Sequence, residues 1–511
     1  MKRIGQQYYP LLPLLLLCGY FVFRAIQFPA HDFANYYFGG KFLAEGHFNA
    51  DIYFPYEFNK AIFDAGHSGI FVSYAPNTPF LAVFFLLFSF FSLAVAKCIF
   101  NGISVVLLVF SCYRLSSYYK IDPKYLILLP LVFLVPIKNN LLFGQVYFLI
   151  FFLLAEGWLA YEKRQWRWVG LFWSLAIVIK VFPVLLIALL VFRRQWKPLL
   201  YLVGFSLLFL GTSILFTGMD IWFFYLKEVL PKASNGEIAT GFVDNYQSVF
   251  MFLKRCLVLD NIENPEPFFN YPGLFSATIM AFKISILVIG YFVSRRVSIT
   301  PFGFSYWILA MIILSPYGST YSLILLLFSF FALLKSDLSM VKKGFVLALI
   351  FLINNLPLSL FIDNEFPLSY LRLFLLLFFA VFFIGFISKK SIGLKAVFSG
   401  GIILLTVSFF NSTAIENASG LLPAESPILI YDYEIKNNQL TYFYWNETGK
   451  NSGVLPIRVE AQKAIKKNEV SLNFEKSNKR KPIVVNNNTL IYLSDYGRGI
   501  GFFTLRKFKI R

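Results

Sequence analysis

Apolar windows recur along the chain from Leu11 to about Phe410, separated by short polar or basic stretches. A hydrocarbon core of roughly 30 Å takes about 20 apolar residues per straight helix, so the pattern predicts an all-α polytopic membrane protein with about 11–13 membrane helices. Basic clusters then assign sides. Lys163-Arg164, Arg193-Arg194, Arg295-Arg296, Lys342-Lys343 and Lys389-Lys390 mark the cytoplasmic face. The outer face takes the first loop, 29–77, the stretch around 217–247, Ser315-Pro316-Tyr317 and Asp363-Asn364-Glu365.

Two places break the simple alternation. Four apolar segments (78–93, 98–113, 124–137 and 142–160) lie between the outer loop and Lys163, where an odd number of crossings is required. The segment 124–137 is short and interrupted by Pro130 and Pro136, so it is the one expected not to cross. Further on, Trp168–Val181 and Val184–Phe192 stand between two basic clusters that belong on one side. Each half is too short to cross, and Lys180-Val181-Phe182-Pro183 breaks them apart. A chain that enters and returns leaves irregular backbone at membrane depth, which is tolerated where it lines a cavity. Lys180 is thereby a candidate cavity residue.

Later spans are expected at about 198–216, 273–293, 303–314, 319–334, 344–361, 368–388 and 394–412, which puts the C-terminus outside. The start, Met1-Lys2-Arg3 before the first apolar stretch, has no small-x-small cleavage site after that stretch and reads as an uncleaved first span with a cytoplasmic N-terminus. Beyond "STAIENASGLLPAESP" the composition turns polar, with short alternating runs such as "ILIYDYEI", "LTYFYW", "VSLNFE" and "TLIYLSDY". The expected division is a membrane domain over 1–415 and a small, mainly-β extracytoplasmic domain over 421–511. The latter holds fifteen Lys and Arg against eight Asp and Glu, a basic surface suited to solvent or to anionic headgroups.

The formal net charge of +19 sits mostly in loops between spans, so it reports topology and not nucleic-acid binding. A 58% hydrophobic composition with 63 Phe and a mean hydropathy of +0.66 fits a multi-pass protein of the cell (plasma) membrane. Cys18, Cys98, Cys112 and Cys256 have no paired spacing and read as buried thiols. No P-loop, GxGxxG or GxSxG motif is present.

Candidate chemistry collects on the outer side. Asp32 follows the first span by a few residues, beside His31, Asn35, Tyr36, Tyr37 and Gly39-Gly40. A carboxylate there is either an interfacial charge in an aromatic belt or a general base or cation ligand facing a cavity. His31, His47 and His67 share this loop with Asp51 and Asp64, but no metal-binding spacing links them, and no metal is assigned. Tyr74, Pro76 and Asn77 stand at the entrance of the next span. Gly144-Gln145, Asn245 and Gln247 offer uncharged donors on the same side. Lys254 and Arg255, just after an outer stretch, break the positive-inside trend and are either phosphate ligands or solvated loop charges.

Taken together, "HDFANYYFGGKFLAEGHFNADIY", "FVSYAPNTPF", "GQVYFLIFFLL", "GLFWSLAIVIKVFPVLLIALLVFRRQW", "NYQSV" and "LSPYGSTY" resemble glycosyltransferase family 87 over roughly residues 1–335. The GQ pair and the block ending in Lys180-x-x-Pro183 are the most specific parts. The resemblance implies a GT-C fold and an inverting glycosyltransferase that needs no cofactor. It would move a hexose, mannose by default, from a polyprenyl-phosphate-linked donor to a glycan or glycolipid acceptor of the cell envelope on the extracytoplasmic side. It implies Asp32 as general base and Lys180 at the donor phosphate. His31, Tyr36, Tyr74, Gln145, Asn245, Gln247, Arg255 and Tyr321 are the substrate-binding candidates. Where family members carry a histidine after the Ser-Pro pair, this chain has Tyr321, and Tyr317 or Tyr321 is left to hydrogen-bond substrate there. The implied partners are membrane lipid, the lipid-linked donor and the acceptor, with no nucleic acid. Two other classes use similar features: a transporter or flippase of lipid-linked saccharides, and a non-catalytic envelope assembly protein.

Overall fold

A computed structural model describes residues 9–238, 242–243, 245–260, 263–296, 301–357, 359–362, 365–387, 418–420, 429–456, 462–464, 477–486 and 489–509. Met1-Lys2-Arg3, Asp244, Asp363-Asn364, Lys389-Lys390, the expected span 394–412, all of "VSLNFE" and, apart from 418–420, the boundary near 415–421 lie outside the described residues. The chain is mostly helical up to Ile387 and all-antiparallel β beyond Ala418.

Among the described residues, five helices are long and apolar enough to cross a membrane: Tyr9–Gln27, Leu93–Tyr119, Trp196–Thr217, Pro272–Arg295 and Leu368–Gly385. A bent pair, Pro123–Val132 with Leu134–Phe143, makes a sixth if it counts as one span. The expectation of about 11–13 counted apolar windows. The expected windows 303–314 and 319–334 fold as the apolar helices Pro301–Leu314 and Thr320–Lys335, and the two expected half-helices as Trp166–Ile179 and Phe182–Phe192, all shorter than a straight crossing takes.

The bent pair turns by 64° at Phe133. A break in a helix frees carbonyls that lipid cannot satisfy. Here asparagines from the Met340–Asn355 helix take them: Asn354 Nδ2 donates to the Val132 carbonyl at 3.0 Å, and Asn355 Nδ2 to the same carbonyl at 3.1 Å. Asn355 Oδ1 accepts the Val135 amide at 3.1 Å, beyond the bend. The other end of the exchange is closed as well, because the Arg372 guanidinium donates to the Ile353 and Leu356 carbonyls at 3.1 and 2.9 Å.

Trp166–Ile179 and Leu185–Phe192 form a pair whose two ends lie together. Tyr161, just before the pair, hydrogen-bonds Arg193, just after it. The turns flanking the pair are built alike from Arg-Gln-Trp: Arg164 and Arg194 both lie in the left-handed region (φ 57° and 56°). Gln165 N–H and Gln195 N–H each close a turn at 2.9 Å, onto the Ala160 and Leu190 carbonyls. Gly170 then lets the Trp166–Ile179 helix approach the Tyr201–Leu202 backbone of the next span, where a Cβ would meet Tyr201 C at 2.6 Å. A charge inside the bundle is matched: buried Glu156 takes a bidentate pair from Arg114 at 3.0 and 2.7 Å.

The β region forms two antiparallel sheets. One has the order β1-β8-β7-β6-β5, with β1 Ala418–Gly420, β5 Gln462–Ala464, β6 Lys479–Val485, β7 Thr489–Ser494 and β8 Thr504–Lys509. The other is the meander β2 Ile430–Lys436, β3 Gln439–Asn446, β4 Gly449–Pro456. Ile430, Tyr433, Leu440, Leu493, Phe503 and Leu505 pack between them, and the Tyr433 hydroxyl donates to the Ile491 carbonyl across the gap at 2.9 Å. This unit docks on the outer-loop helix Pro55–Asp64. Tyr56 stacks on Tyr431 (4.2 Å, 14°), Phe63 meets Trp445 edge-on at 5.7 Å, and Glu57 pairs with Arg480 at 3.2 Å. Two further ion pairs, Lys232–Asp495 at 2.8 Å and Arg498–Glu263 at 2.6 Å, close the seam. Near Lys232, burial pushes the Glu237 carboxyl above its ordinary range against the pull of Lys254 and Lys232.

Replacing Asn354 and Asn355 together by Leu would strip the bend of its partners at roughly 1–3 kcal/mol per buried group left unsatisfied. The expected outcome is a markedly lower unfolding midpoint in detergent, read by tryptophan fluorescence, with either single variant intermediate.

Candidate functional site

The helix His31–Ala44 has 14 residues, too few for a straight crossing, and Phe33, Tyr36, Tyr37 and Phe38 on it are buried. Its entry is fixed by Lys97, whose ammonium donates to the Phe28 and Pro29 carbonyls at 3.3 and 3.0 Å. Asp32 falls in the first turn, where the helix dipole favours an anion. The Gln145 amide nitrogen donates to Asp32 Oδ2. The Tyr36 hydroxyl donates to Gln145 Oε1 at 2.8 Å, which fixes the orientation of that amide and turns its NH2 toward the carboxylate.

Gln145 itself is aimed by a glycine turn. Gly144 ends the Leu134–Phe143 helix in the left-handed region (φ +66°), and its α-carbon presses against Phe33, where an added Cβ would stand 2.7 Å from Phe33 Cβ. Asn140 secures the turn and its surroundings together. Its carbonyl accepts the Gln145 N–H at 2.8 Å, and its side chain donates to the Tyr321 carbonyl at 3.0 Å. Thus one asparagine registers the segment carrying Gln145 against the segment carrying Tyr321.

Lys180 stands at the break between the two short helices, in extended backbone. Its ammonium donates to Asn77 Oδ1 at 3.0 Å and lies 5.7 Å from the centre of the Tyr36 ring, near enough to Asp32 for their charges to attract. The loop opposite is pinned to the same break: Thr78 Oγ1 donates to the Val178 carbonyl at 2.6 Å, and the Tyr53 hydroxyl to the Asn77 carbonyl at 2.9 Å. The Ala75–Pro76 peptide in this loop is cis.

These groups open into one cavity of about 300 Å3. Asp32, Tyr36, Gln145, Lys180 and Tyr321 of the sequence candidates line it, with Asn35 and Asn77 beside them. Tyr147, Tyr246, Tyr317 and Ser319 complete an aromatic and hydroxyl wall. Tyr147 hydrogen-bonds Ser319 and lies 5.3 Å from Tyr321; Tyr246 meets Tyr317 edge-on at 5.3 Å, and the Tyr317 hydroxyl donates to the Ala233 carbonyl. The arrangement offers a held carboxylate, an amine that can meet an anion, and flat faces between them.

The remaining candidates sit elsewhere. His31 opens the helix, and its side chain lies outside the described ones. Tyr74 is fully buried in the outer-loop core against Phe48 and Tyr53, its hydroxyl donating to the Thr78 carbonyl at 3.1 Å. Gln247 turns away to donate to the Ser369 carbonyl at 2.8 Å, and its backbone supports Gly318. Asn245 is exposed in the turn before Tyr246. Arg255 is half-buried on the Val249–Leu257 helix, outside the cavity lining, and its neighbour Lys254 is buried over the Phe242 ring at 4.6 Å. Among the described residues no group of three or more His, Cys, Asp or Glu gathers at one point; His67 packs edge-on against Phe38. Tyr147 and Ser319 had a readable signal in their places inside the "GQVYF" and "SPYGSTY" blocks. A cavity-lining residue from the β region, Phe502, had none.

Residues 75–316 match the model of glycosyltransferase family 87, which bears out the resemblance read from the motifs and indicates glycosyltransferase activity in a multi-pass membrane protein. Lys180, Gln145 and Asn77 fall within the matched segment; Asp32, Tyr321 and the whole β region fall outside it. No curated protein and no solved structure matches the chain.

Gly144→Ala is expected to destabilise the chain. The left-handed backbone costs a residue with a Cβ about 1–2 kcal/mol, and the contact with Phe33 adds an overpacking cost of about 1–3 kcal/mol. A fall in the detergent unfolding midpoint with loss of any bound lipid substrate checks it; Gly102→Ala, with open space at its Cβ, should leave the midpoint unchanged.

Proposed function

We propose that this chain transfers a hexose, with mannose the family default, from a polyprenyl-phosphate-linked donor to an acceptor hydroxyl of an envelope glycan or glycolipid on the extracytoplasmic side, with inversion. The observation that carries the reading is that a carboxylate oriented by a fixed amide and the ammonium at a membrane-depth helix break face one cavity.

The chemistry such a pair performs is simple. The acceptor oxygen forms a bond to the anomeric carbon as the bond from that carbon to the phosphate oxygen breaks. The phosphate leaves with the electron pair, and the hydroxyl proton passes to Asp32. Because the leaving group is already a stable anion, no acid is needed on that side; a cation that meets the growing charge suffices, and Lys180 supplies it. The donor is held to the bilayer by its prenyl tail, which brings its phosphate to the depth at which the Trp166–Ile179 helix ends. Asn77 keeps the Lys180 side chain extended toward that point, and the tyrosine wall gives a sugar ring flat apolar faces and hydroxyl partners.

Asp32→Asn is expected to lower kcat by roughly a hundred- to ten-thousand-fold, the usual reach of general-base catalysis, with donor KM nearly unchanged. Lys180→Met should lower kcat/KM for the donor about ten- to a hundred-fold, the worth of a charge-assisted hydrogen bond to phosphate, with a fall in kcat for the part that meets the growing charge and a rise in donor KM for the part that holds the ground-state phosphate. Both are read in proteoliposomes loaded with polyprenyl-phosphate mannose. Wild-type transfer by the Asp32→Asn variant would remove the base assignment, and movement of the donor across the bilayer without any transfer would favour the flippase reading.

A further inference from the structure

The β region, outside the matched family segment, reaches into the cavity. Phe502 is one of its lining residues, together with Phe71 of the outer loop and Ile238. The side chain is only 2% exposed, because it also belongs to an apolar cluster with Leu429 and Trp445, packed by Tyr56, Phe71 and Tyr431. The cluster that docks the β region and the wall of the cavity therefore share Phe502 and Phe71. This wall is held firmly. The Asp495 carboxylate accepts the Asn478 and Gly501 amides at 2.8 and 2.9 Å and pairs with Lys232 at 2.8 Å. Gly499 runs so close to the Ile238 carbonyl that no Cβ fits, and Gly501 lies in the left-handed region (φ +73°) against Phe54. Such a loop is a fixed boundary and not a lid.

Its location assigns it a side. Lys180 sits at the far end of a helix that starts from the basic Lys163-Arg164 turn, whereas the β region packs on the helix Pro55–Asp64 of the first loop. Asp32 opens into the cavity that lies between. A lipid donor occupying Lys180 fills the membrane side, so an incoming hydroxyl reaches Asp32 along the side that the β region walls.

We infer that Phe502 is an acceptor-selecting residue, and that the C-terminal β region sets the length of saccharide that can present its hydroxyl to Asp32. The inference rests on the sugar-transfer reading above. An aromatic wall suits the apolar C–H faces of a sugar ring, and its volume sets how many rings fit.

The test uses full-length protein in proteoliposomes with polyprenyl-phosphate mannose and a ladder of octyl mannosides carrying one, two or three sugars. Phe502→Ala should shift the ratio of kcat/KM toward the longer acceptors by about tenfold or more, the scale on which pocket volume discriminates. Phe502→Trp should shift it toward the shortest, and donor KM should stay within about twofold of wild type in both. The Trp variant keeps the seam filled and decides the matter if the Ala variant unfolds. An unchanged ladder, or donor KM moving in step with acceptor KM, overturns the inference while wild-type transfer still stands. Absence of transfer by wild type along the entire ladder would overturn the sugar-transfer reading, and this inference with it.

Discussion

Backbone polar groups inside a bilayer have no water to turn to, and this constraint organises the protein more than any single packing contact. Among the described residues, two breaks in apolar helices are matched by side chains that repay the lost hydrogen bonds. Asn354 and Asn355 do so at the Phe133 bend, and Thr78 at the end of the Trp166–Ile179 helix. The cavity exists because these repayments are made laterally, from neighbouring segments. A broken helix that is satisfied from its side leaves its tip open, and Gln145 and Lys180 both occupy such tips.

Much of this was legible in the sequence, for a physical reason. A charge or amide within an apolar segment is costly, so Lys180, Gln145 and Asp32 stood out against their surroundings and the structure brings them into one cavity. The same logic misleads where a polar group is buried for packing. Gln247 and Tyr74 look like donors facing substrate, yet each spends its hydrogen bond on a backbone carbonyl within the core. Composition cannot separate the two cases, because both are polar groups in apolar surroundings and only the direction of the side chain differs. Helix ends were easier to read, since proline and polar residues mark them: 303–314 and 319–334 stood apart in the sequence and fold as Pro301–Leu314 and Thr320–Lys335.

The β region was legible as strands and not as part of a site. Its alternating runs gave β2, β3 and β7, but nothing local to "GRGIGFF" points to a partner some hundreds of residues away. Phe502 has the burial of a core residue and only a small part of its surface on the cavity. Relationships of this kind are set by docking, and docking here depends on Tyr56, Glu57 and Lys232 meeting Tyr431, Arg480 and Asp495 across the seam.

That seam also orders events in time. Asp32, Gln145 and Lys180 precede Phe502 by hundreds of residues, so a nascent chain holds the carboxylate and the ammonium well before it holds this part of the cavity wall. Until the β region has settled on the Pro55–Asp64 helix, the cavity lacks Phe502 on one flank. Docking of the β region is thus the step that completes the enclosure, and maturation of the chamber waits on the strands and not on the helices alone.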